Sequence, residues 1–161
     1  MTIAMIDKAI SMAKEYHDGM TDKYGNPYIE HLERVADRVR DMEYDFVDET
    51  SEIESYIAVA YLHDIVEDTA IRQESITNWF PEEVSAAIFR LTRQEGMTYA
   101  EYIERILSRD MLPVRVLAGK IAKVVKLADL LDHVAGPTPC PPHLKKRYEK
   151  SLYRLISKGI I

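Results

Sequence analysis

The chain has 161 residues, of which 47% are hydrophobic and 30% charged, with 6 glycines and a formal net charge of −6. This balance is typical of one globular domain, and we expect residues 1–161 to form a single domain. Because neither a membrane span nor a signal-peptide pattern is present, we expect the protein in the cytoplasm. The acidic charge, without an extended basic stripe, argues against nucleic acid as a partner.

Helical periodicity runs through the first half of the chain, with breaks at glycine and proline. A first helix is predicted up to Tyr16, and Pro27 suits the first turn of a second helix. An acidic segment from about residue 43 to residue 54 predicts a flexible connection. The third helix, roughly residues 55–66, is apolar on most faces, which predicts a central, buried position.

The second half of the chain continues this pattern. Two short helices are predicted over residues 75–80 and 81–92, and Thr98 with Glu101 three residues later has the pattern of a capping box. Pro113 opens a long helix that ends before the proline-rich residues 137–142, and one more helix follows. The expected fold is an all-α, single-domain bundle of seven or eight helices.

The strongest chemical signal is the run His63-Asp64-Ile65-Val66-Glu67-Asp68 at the end of the third predicted helix. On helical spacing His63 and Glu67 are four residues apart, as are Asp64 and Asp68, so the four ionisable groups lie on neighbouring faces. Like charges one turn apart destabilise a helix by about 0.2–0.5 kcal/mol, and burying unpaired charge costs far more. A bound cation explains the cluster, and the alternative is a solvated helix end beside a core histidine.

Two other segments carry groups of the same kind. His31 lies beside the apolar stripe of the second helix, where a histidine is more often a packing or surface residue than a ligand. Asp129 lies in an apolar stretch of the long helix, so it needs a partner, which is either a metal or Lys126 three residues before it. His133, one turn after Asp129, either joins a metal site or is exposed.

Two imidazoles and two carboxylates make up the resulting set of His31, His63, Asp64 and Asp129. These ligand types suit manganese, iron or zinc better than magnesium or calcium, which prefer oxygen ligands alone. A metal there could polarise a phosphoryl oxygen and lower the pKa of a water molecule. Glu67 or Asp68 could orient that water or shuttle its proton.

The order and spacing of these segments resemble the HD superfamily of metal-dependent phosphohydrolases, named for the His-Asp doublet. The resemblance is strongest to hydrolase domains of the RelA/SpoT type and to small alarmone hydrolases, which remove the 3′-pyrophosphate of (p)ppGpp. It covers about residues 4 to 155. Its motifs are Tyr16-His17-Asp18-Gly19, the run from Asp22 to His31, the run from His63 to Thr69, and Val125-Lys126-Leu127-Ala128-Asp129.

The resemblance implies roles for particular residues. The metal ligands would be His31, His63, Asp64 and Asp129, usually for Mn²⁺, with iron, zinc or cobalt as alternatives, and Glu67 and Asp68 would be the acid–base pair. The residues expected to contact a small anionic nucleotide are Lys23, Tyr24, Lys126, His133 and Tyr148. Dedicated alarmone hydrolases usually have arginine where this chain has Asp22 and asparagine where it has His133.

The leading functional prediction is a metal-dependent phosphohydrolase that cleaves a phosphate ester or pyrophosphate of a nucleotide, with a (p)ppGpp-like 3′-pyrophosphate as the best candidate. A nucleotide or dinucleotide phosphatase of different specificity would need nearly the same site. A sensor that binds a nucleotide without turnover is a further alternative, which the complete ligand set and both acid–base candidates disfavour. The sequence sets no oligomeric state, and a homodimer is one option.

Overall fold

The computed structural model describes residues 2–42 and 53–160, which are helical apart from their connections. The helices are α1 (Thr2–Tyr16), α2 (Tyr28–Asp41), α3 (Ile53–Leu62), α4 (Ile65–Asp68), α5 (Gln73–Trp79), α6 (Glu82–Leu91), α7 (Tyr99–Leu107), α8 (Pro113–Ala135) and α9 (Pro142–Leu155), followed by a π-helical turn over Ile156–Ile160. Within these residues eight helices have at least 7 residues and α4 is a single turn, which confirms the predicted all-α bundle. Most of the predicted flexible connection, residues 43–52, lies outside the described residues.

Helices α3 and α8 form the centre of the bundle. Helix α3 is buried from Ser55 to Leu62 and packs against α1, α2, α6 and α8, as its apolar sequence predicts. Helix α8 packs in turn against α2, α6, α7 and α9. The apolar side chains at these contacts form one buried cluster, and each fully buried leucine, isoleucine or valine stabilises the fold by about 1.5–3 kcal/mol.

The third helix is shorter than its apolar pattern suggests. It ends at Leu62, and α4 begins only after a turn at His63 and Asp64. The prediction of one helix over roughly residues 55–66 is therefore wrong at its end, because His63 and Asp64 lie in a turn. The turn is stabilised where His63 Nδ1 donates to the carbonyl oxygen of Ala60 at 2.8 Å, and it directs both side chains into the bundle.

The start of α7 is capped as the sequence predicts. Thr98 Oγ1 accepts a hydrogen bond from the Glu101 backbone N–H at 3.1 Å, and Glu101 Oε2 accepts one from the Thr98 backbone N–H at 2.7 Å. These two bonds satisfy donors that have no partner within the helix.

Two arginines tie the ends of α6 and α7 together. The Arg105 guanidinium donates to the carbonyl oxygens of Phe89, Arg90 and Thr92 at the end of α6. The Arg90 guanidinium donates in the opposite direction, to the carbonyl oxygens of Arg105 and Ser108 at the end of α7. Because the last carbonyls of a helix have no partner within it, each arginine stabilises the other's helix end.

The loops and helices of residues 2–42 and 53–160 contain one isolated β-bridge, between Thr21 and Pro27, and no β-strand. Across the same residues, no helix combines the length and the apolar character that crossing a membrane would require.

Candidate metal centre

The four predicted metal ligands come from separate elements and meet in the middle of the bundle. His31 lies on α2, Asp129 lies on α8, and His63 and Asp64 lie in the turn before α4. His31 Nε2 is 3.1 Å from Asp129 Oδ1, and His63 Nε2 is 3.5 Å from the same oxygen and 3.0 Å from Asp64 Oδ2. The packing of α2, α3 and α8 therefore brings together groups that are far apart in sequence.

These residues fit a divalent metal. The ligand atoms of His31, His63 and Asp64 all lie within 4.8 Å of one another, and so do those of His31, Asp129 and His133. His31 Nε2 and His63 Nε2 are buried without a hydrogen-bond partner, which is costly unless another atom binds them. Imidazole nitrogens mixed with carboxylate oxygens are the ligands that manganese, iron and zinc accept.

Both ligand histidines are held by their other ring nitrogen. His63 Nδ1 is bonded to the carbonyl oxygen of Ala60, and His31 Nδ1 donates to Asp132 Oδ2 at 2.7 Å. Asp132 also accepts from Arg34, with Nε at 2.8 Å and Nη2 at 3.1 Å. Such bonds fix the tautomer and the orientation of a ligand histidine, and here they leave both Nε2 atoms facing the cluster.

Each ligand carboxylate also has an orienting partner. Lys126 Nζ donates to Asp129 Oδ2 at 2.8 Å, which leaves Oδ1 facing the histidines. The Tyr28 hydroxyl donates to Asp64 Oδ2. The ion pair between Lys126 and Asp129 was one of the two alternatives open for Asp129, and it exists alongside the histidine contacts.

The charges of the cluster set its protonation. Burial lowers the pKa of His31, but the carboxylates of Asp129 and Asp132 beside its ring outweigh it and raise that pKa to about 9. Burial raises the pKa of Asp132, but the hydrogen bonds from His31 and Arg34 outweigh it and lower that pKa to about 2. In the metal-free protein His31 therefore carries a proton at pH 7, which must leave before its Nε2 can bind a cation.

Glu67 and Asp68 lie on α4, close to Asp64. Desolvation raises the pKa of Glu67, although the backbone N–H of Arg93 donates to Glu67 Oε1 and opposes this shift. Desolvation, together with the negative charges of Asp64 and Glu67, raises the pKa of Asp68 to about 6. A carboxyl group with a pKa near neutrality can accept a proton and return it, which is what general acid–base catalysis requires.

A cleft of about 190 Å³ opens beside the cluster. Its lining includes Lys23, Tyr28, His31, Asp132, His133 and Tyr148. Three of the five predicted substrate residues thus face the cleft, whereas Tyr24 is exposed outside its lining and Lys126 is buried against Asp129. Residues 138–141 also line the cleft, so the proline-rich segment is a wall of the pocket as well as a connection.

Asp22 shapes the loop that leads into α2. Its Oδ1 accepts from the backbone N–H of Tyr24 at 2.8 Å and of Asn26 at 3.0 Å. Gly25, inside this turn, has a φ of +84°, a left-handed conformation that favours glycine. The side chain at position 22 therefore holds the loop that carries Lys23 at the edge of the cleft.

Several residues of the site have no role in the sequence prediction. Arg34 and Asp132 form the network behind His31, and Tyr28 bonds Asp64. One signal could have found Asp132, which follows Asp129 by three residues and so lies on the same buried face of α8. The other contacts join distant segments, and no local pattern reports them.

Comparison with known proteins assigns a family to this arrangement. A family model described as an HD domain matches residues 9–150. The chain belongs to the HD domain family. This confirms the resemblance that the His-Asp doublet and its spacing indicated.

This chain is also similar to curated proteins over most of its own length. A probable guanosine-3′,5′-bis(diphosphate) 3′-pyrophosphohydrolase of Synechocystis sp. is 31% identical over 89% of this chain and 18% of its own length. A GTP pyrophosphokinase rsh of Brucella ovis is 30% identical over 81% of this chain and 16% of its own length. The chain thus spans less than a fifth of these relatives.

One solved structure has the same fold. It is described as a metazoan ortholog of SpoT that hydrolyzes ppGpp, and it matches with a TM-score of 0.69 and 22% sequence identity, over 96% of this chain and 85% of its own. This likeness confirms the HD-type helical fold.

Proposed function

We propose that this HD domain is a metal-dependent phosphohydrolase whose substrate is a nucleotide, with the 3′-pyrophosphate of (p)ppGpp as the best candidate. The proposal is carried by the convergence of His31, His63, Asp64 and Asp129 beside a cleft, with Glu67 and Asp68 on the adjoining turn. Relatives named as 3′-pyrophosphohydrolases and the fold of a ppGpp-hydrolysing protein support the choice of substrate.

Mn²⁺ is the proposed cofactor, and iron, zinc and cobalt accept the same ligand types. His31, His63, Asp64 and Asp129 would hold it, each already oriented by a second contact. A divalent cation bound there supplies polarisation of a phosphoryl oxygen and a lower pKa for water.

Different residues of the chain bind the substrate and transfer protons. Lys23 brings a positive charge to the edge of the cleft, and Tyr148 offers an aromatic face in its lining. Asp68, with a pKa of about 6, accepts the proton of the attacking water and returns it to the leaving oxygen. Glu67 is held by the Arg93 backbone N–H and orients the water. One P–O bond forms and one breaks, so no oxidant or further reactant is needed.

The test is an assay of phosphate and pyrophosphate release by metal-stripped protein reloaded with Mn²⁺, over a panel of ppGpp, GTP, nucleoside monophosphates and NADPH. We expect pyrophosphate from ppGpp, and no turnover by His63→Ala or Asp64→Ala. Asp37→Ala removes an exposed carboxylate of α2 and serves as the matched control with full activity. Undiminished activity in Asp64→Ala would sink the proposed mechanism.

The alternatives give different results in the same assay. Turnover of another nucleotide, with ppGpp inert, would keep the metal site and assign a phosphatase of different specificity. Tight binding of ppGpp without turnover by the wild-type protein would identify a sensor. For an enzyme, Asp68→Asn should retain ppGpp binding and lose most of kcat, because it removes the proton acceptor and leaves the metal ligands in place. The cytoplasmic location and the homodimer stay predictions.

A further inference from the structure

His133 is placed among the metal-binding groups as well as in the cleft. Its Nε2 lies 3.2 Å from Asp129 Oδ1, beside His31 Nε2 at 3.1 Å and His63 Nε2 at 3.5 Å from the same oxygen. Three imidazole nitrogens from α2, α8 and the turn before α4 therefore surround one carboxylate oxygen.

These distances match the spacing of atoms that share a metal ion. Bonds from a transition metal to imidazole nitrogen or carboxylate oxygen are about 2.1 Å long, so two ligands at right angles lie about 3.0 Å apart and two at the tetrahedral angle about 3.4 Å apart. The contacts of Asp129 Oδ1 with His31 and His133, at 3.1 and 3.2 Å, fall inside this interval, and the contact with His63, at 3.5 Å, lies just beyond it.

The two candidate ligand groups overlap at one residue. They share His31, whose Nδ1 is engaged by Asp132, so His31 has only Nε2 to offer. A single ion on that nitrogen would be reached by His63 and Asp64 from one side and by Asp129 and His133 from the other.

The His133 ring is held in this orientation by its neighbours. It stacks on Tyr148 with a centroid distance of 5.1 Å and an interplanar angle of 29°, and its centroid lies 4.9 Å from that of His31. The ring therefore presents Nε2 to Asp129 from the cleft side, and its side chain is 40% exposed.

We propose that His133 is a fifth ligand of the metal, which makes the set of protein ligands three histidines and two aspartates. This inference rests on the metal centre of the proposed function, and it changes the role predicted for His133 from substrate contact to ligand. A third imidazole shifts the preference of the site away from Mn²⁺ and toward Co²⁺ or Zn²⁺, which bind nitrogen more strongly.

The test measures metal binding alone, without nucleotide. Mn²⁺ and Co²⁺ are titrated into metal-stripped wild-type protein, into His133→Asn, which carries the residue usual in dedicated alarmone hydrolases, and into His143→Asn as a control at an exposed histidine of α9. We expect His133→Asn to raise the dissociation constant of the metal by about tenfold or more, because losing a residue that only orients a ligand already costs about tenfold. The change should be larger for Co²⁺ than for Mn²⁺. The visible absorption spectrum of bound Co²⁺ should change as well, because it reports the number and type of ligands.

Each result has a distinct meaning. Equal metal affinity and an unchanged Co²⁺ spectrum in His133→Asn, together with a raised KM for the nucleotide, would overturn the inference and return His133 to a substrate contact. Failure of the wild-type protein to bind either metal would overturn the metal centre itself, and with it the proposed function. Thermal unfolding of each variant checks the fold, and His133→Gln, which keeps the length of the side chain, should lose metal affinity in the same way.

Discussion

Replacing Asp132 with asparagine should weaken both the fold and the metal site. The carboxylate is 2% exposed and accepts from His31 and Arg34. Its pKa of about 2, against an ordinary 3.8, corresponds to about 2 kcal/mol of stability from the ionised form at pH 7. Removing one partner of a buried ion pair costs about 3–5 kcal/mol, so we expect the free energy of unfolding to fall by about 2–4 kcal/mol. Because His31 also loses the group that orients it, metal affinity should fall about 10- to 100-fold.

Urea unfolding of metal-free protein at pH 7 and calorimetric titration with Mn²⁺ measure the two effects of Asp132→Asn. Asp37→Asn is the matched control, since that carboxylate is exposed and pairs only with Arg40 at 3.1 Å on the described surface, so it should change stability by less than about 1 kcal/mol.

The contribution of Asp132 to the free energy of unfolding should depend on pH in one direction. The pKa of Asp132 is depressed by folding, so its contribution is present above the ordinary value of 3.8 and is lost as the pH falls through about 2. Wild-type stability and metal affinity in Asp132→Asn would refute the role of this network.

Three further predictions concern single contacts. Tyr28→Phe removes the hydroxyl that donates to Asp64 and should weaken metal binding about tenfold in a titration, whereas Tyr24→Phe, at an exposed ring, should leave it unchanged. Arg105→Gln removes charged hydrogen bonds to the end of α6 and should lower the free energy of unfolding by about 1–3 kcal/mol with kcat/KM intact, so lost activity in a folded variant would contradict its structural role. Metal binding at pH 7 should release at least one proton, because the pKa of His31 is about 9 in the metal-free protein, and calorimetry in buffers of different ionisation enthalpy counts it. Binding should tighten as the pH rises toward 9, and a pH-independent affinity would show that His31 is already neutral.

Local patterns in the sequence were sufficient for much of the fold. The apolar faces of α3 predicted its central position, Thr98 with Glu101 predicted the cap of α7, and Pro113 predicted the start of α8. These features depend on residues within one or two turns of each other, through helical periodicity and capping chemistry. The family followed from the order and spacing of a few motifs, which can be read from one sequence.

Only the tertiary structure decided how the site is assembled. The helix expected over roughly residues 55–66 ends at Leu62, and the turn that follows brings His63 Nε2 to 3.0 Å from Asp64 Oδ2. The bond from His31 to Asp132 joins residues 101 positions apart. Such a contact depends on how α2 lies against α8, and the packing of two helices is set by all the side chains between them rather than by the pattern of either one. The sequence therefore identified the four candidate ligands and left His133 between a metal site and an exposed position, while the orientation of each ligand came from the packing of helices.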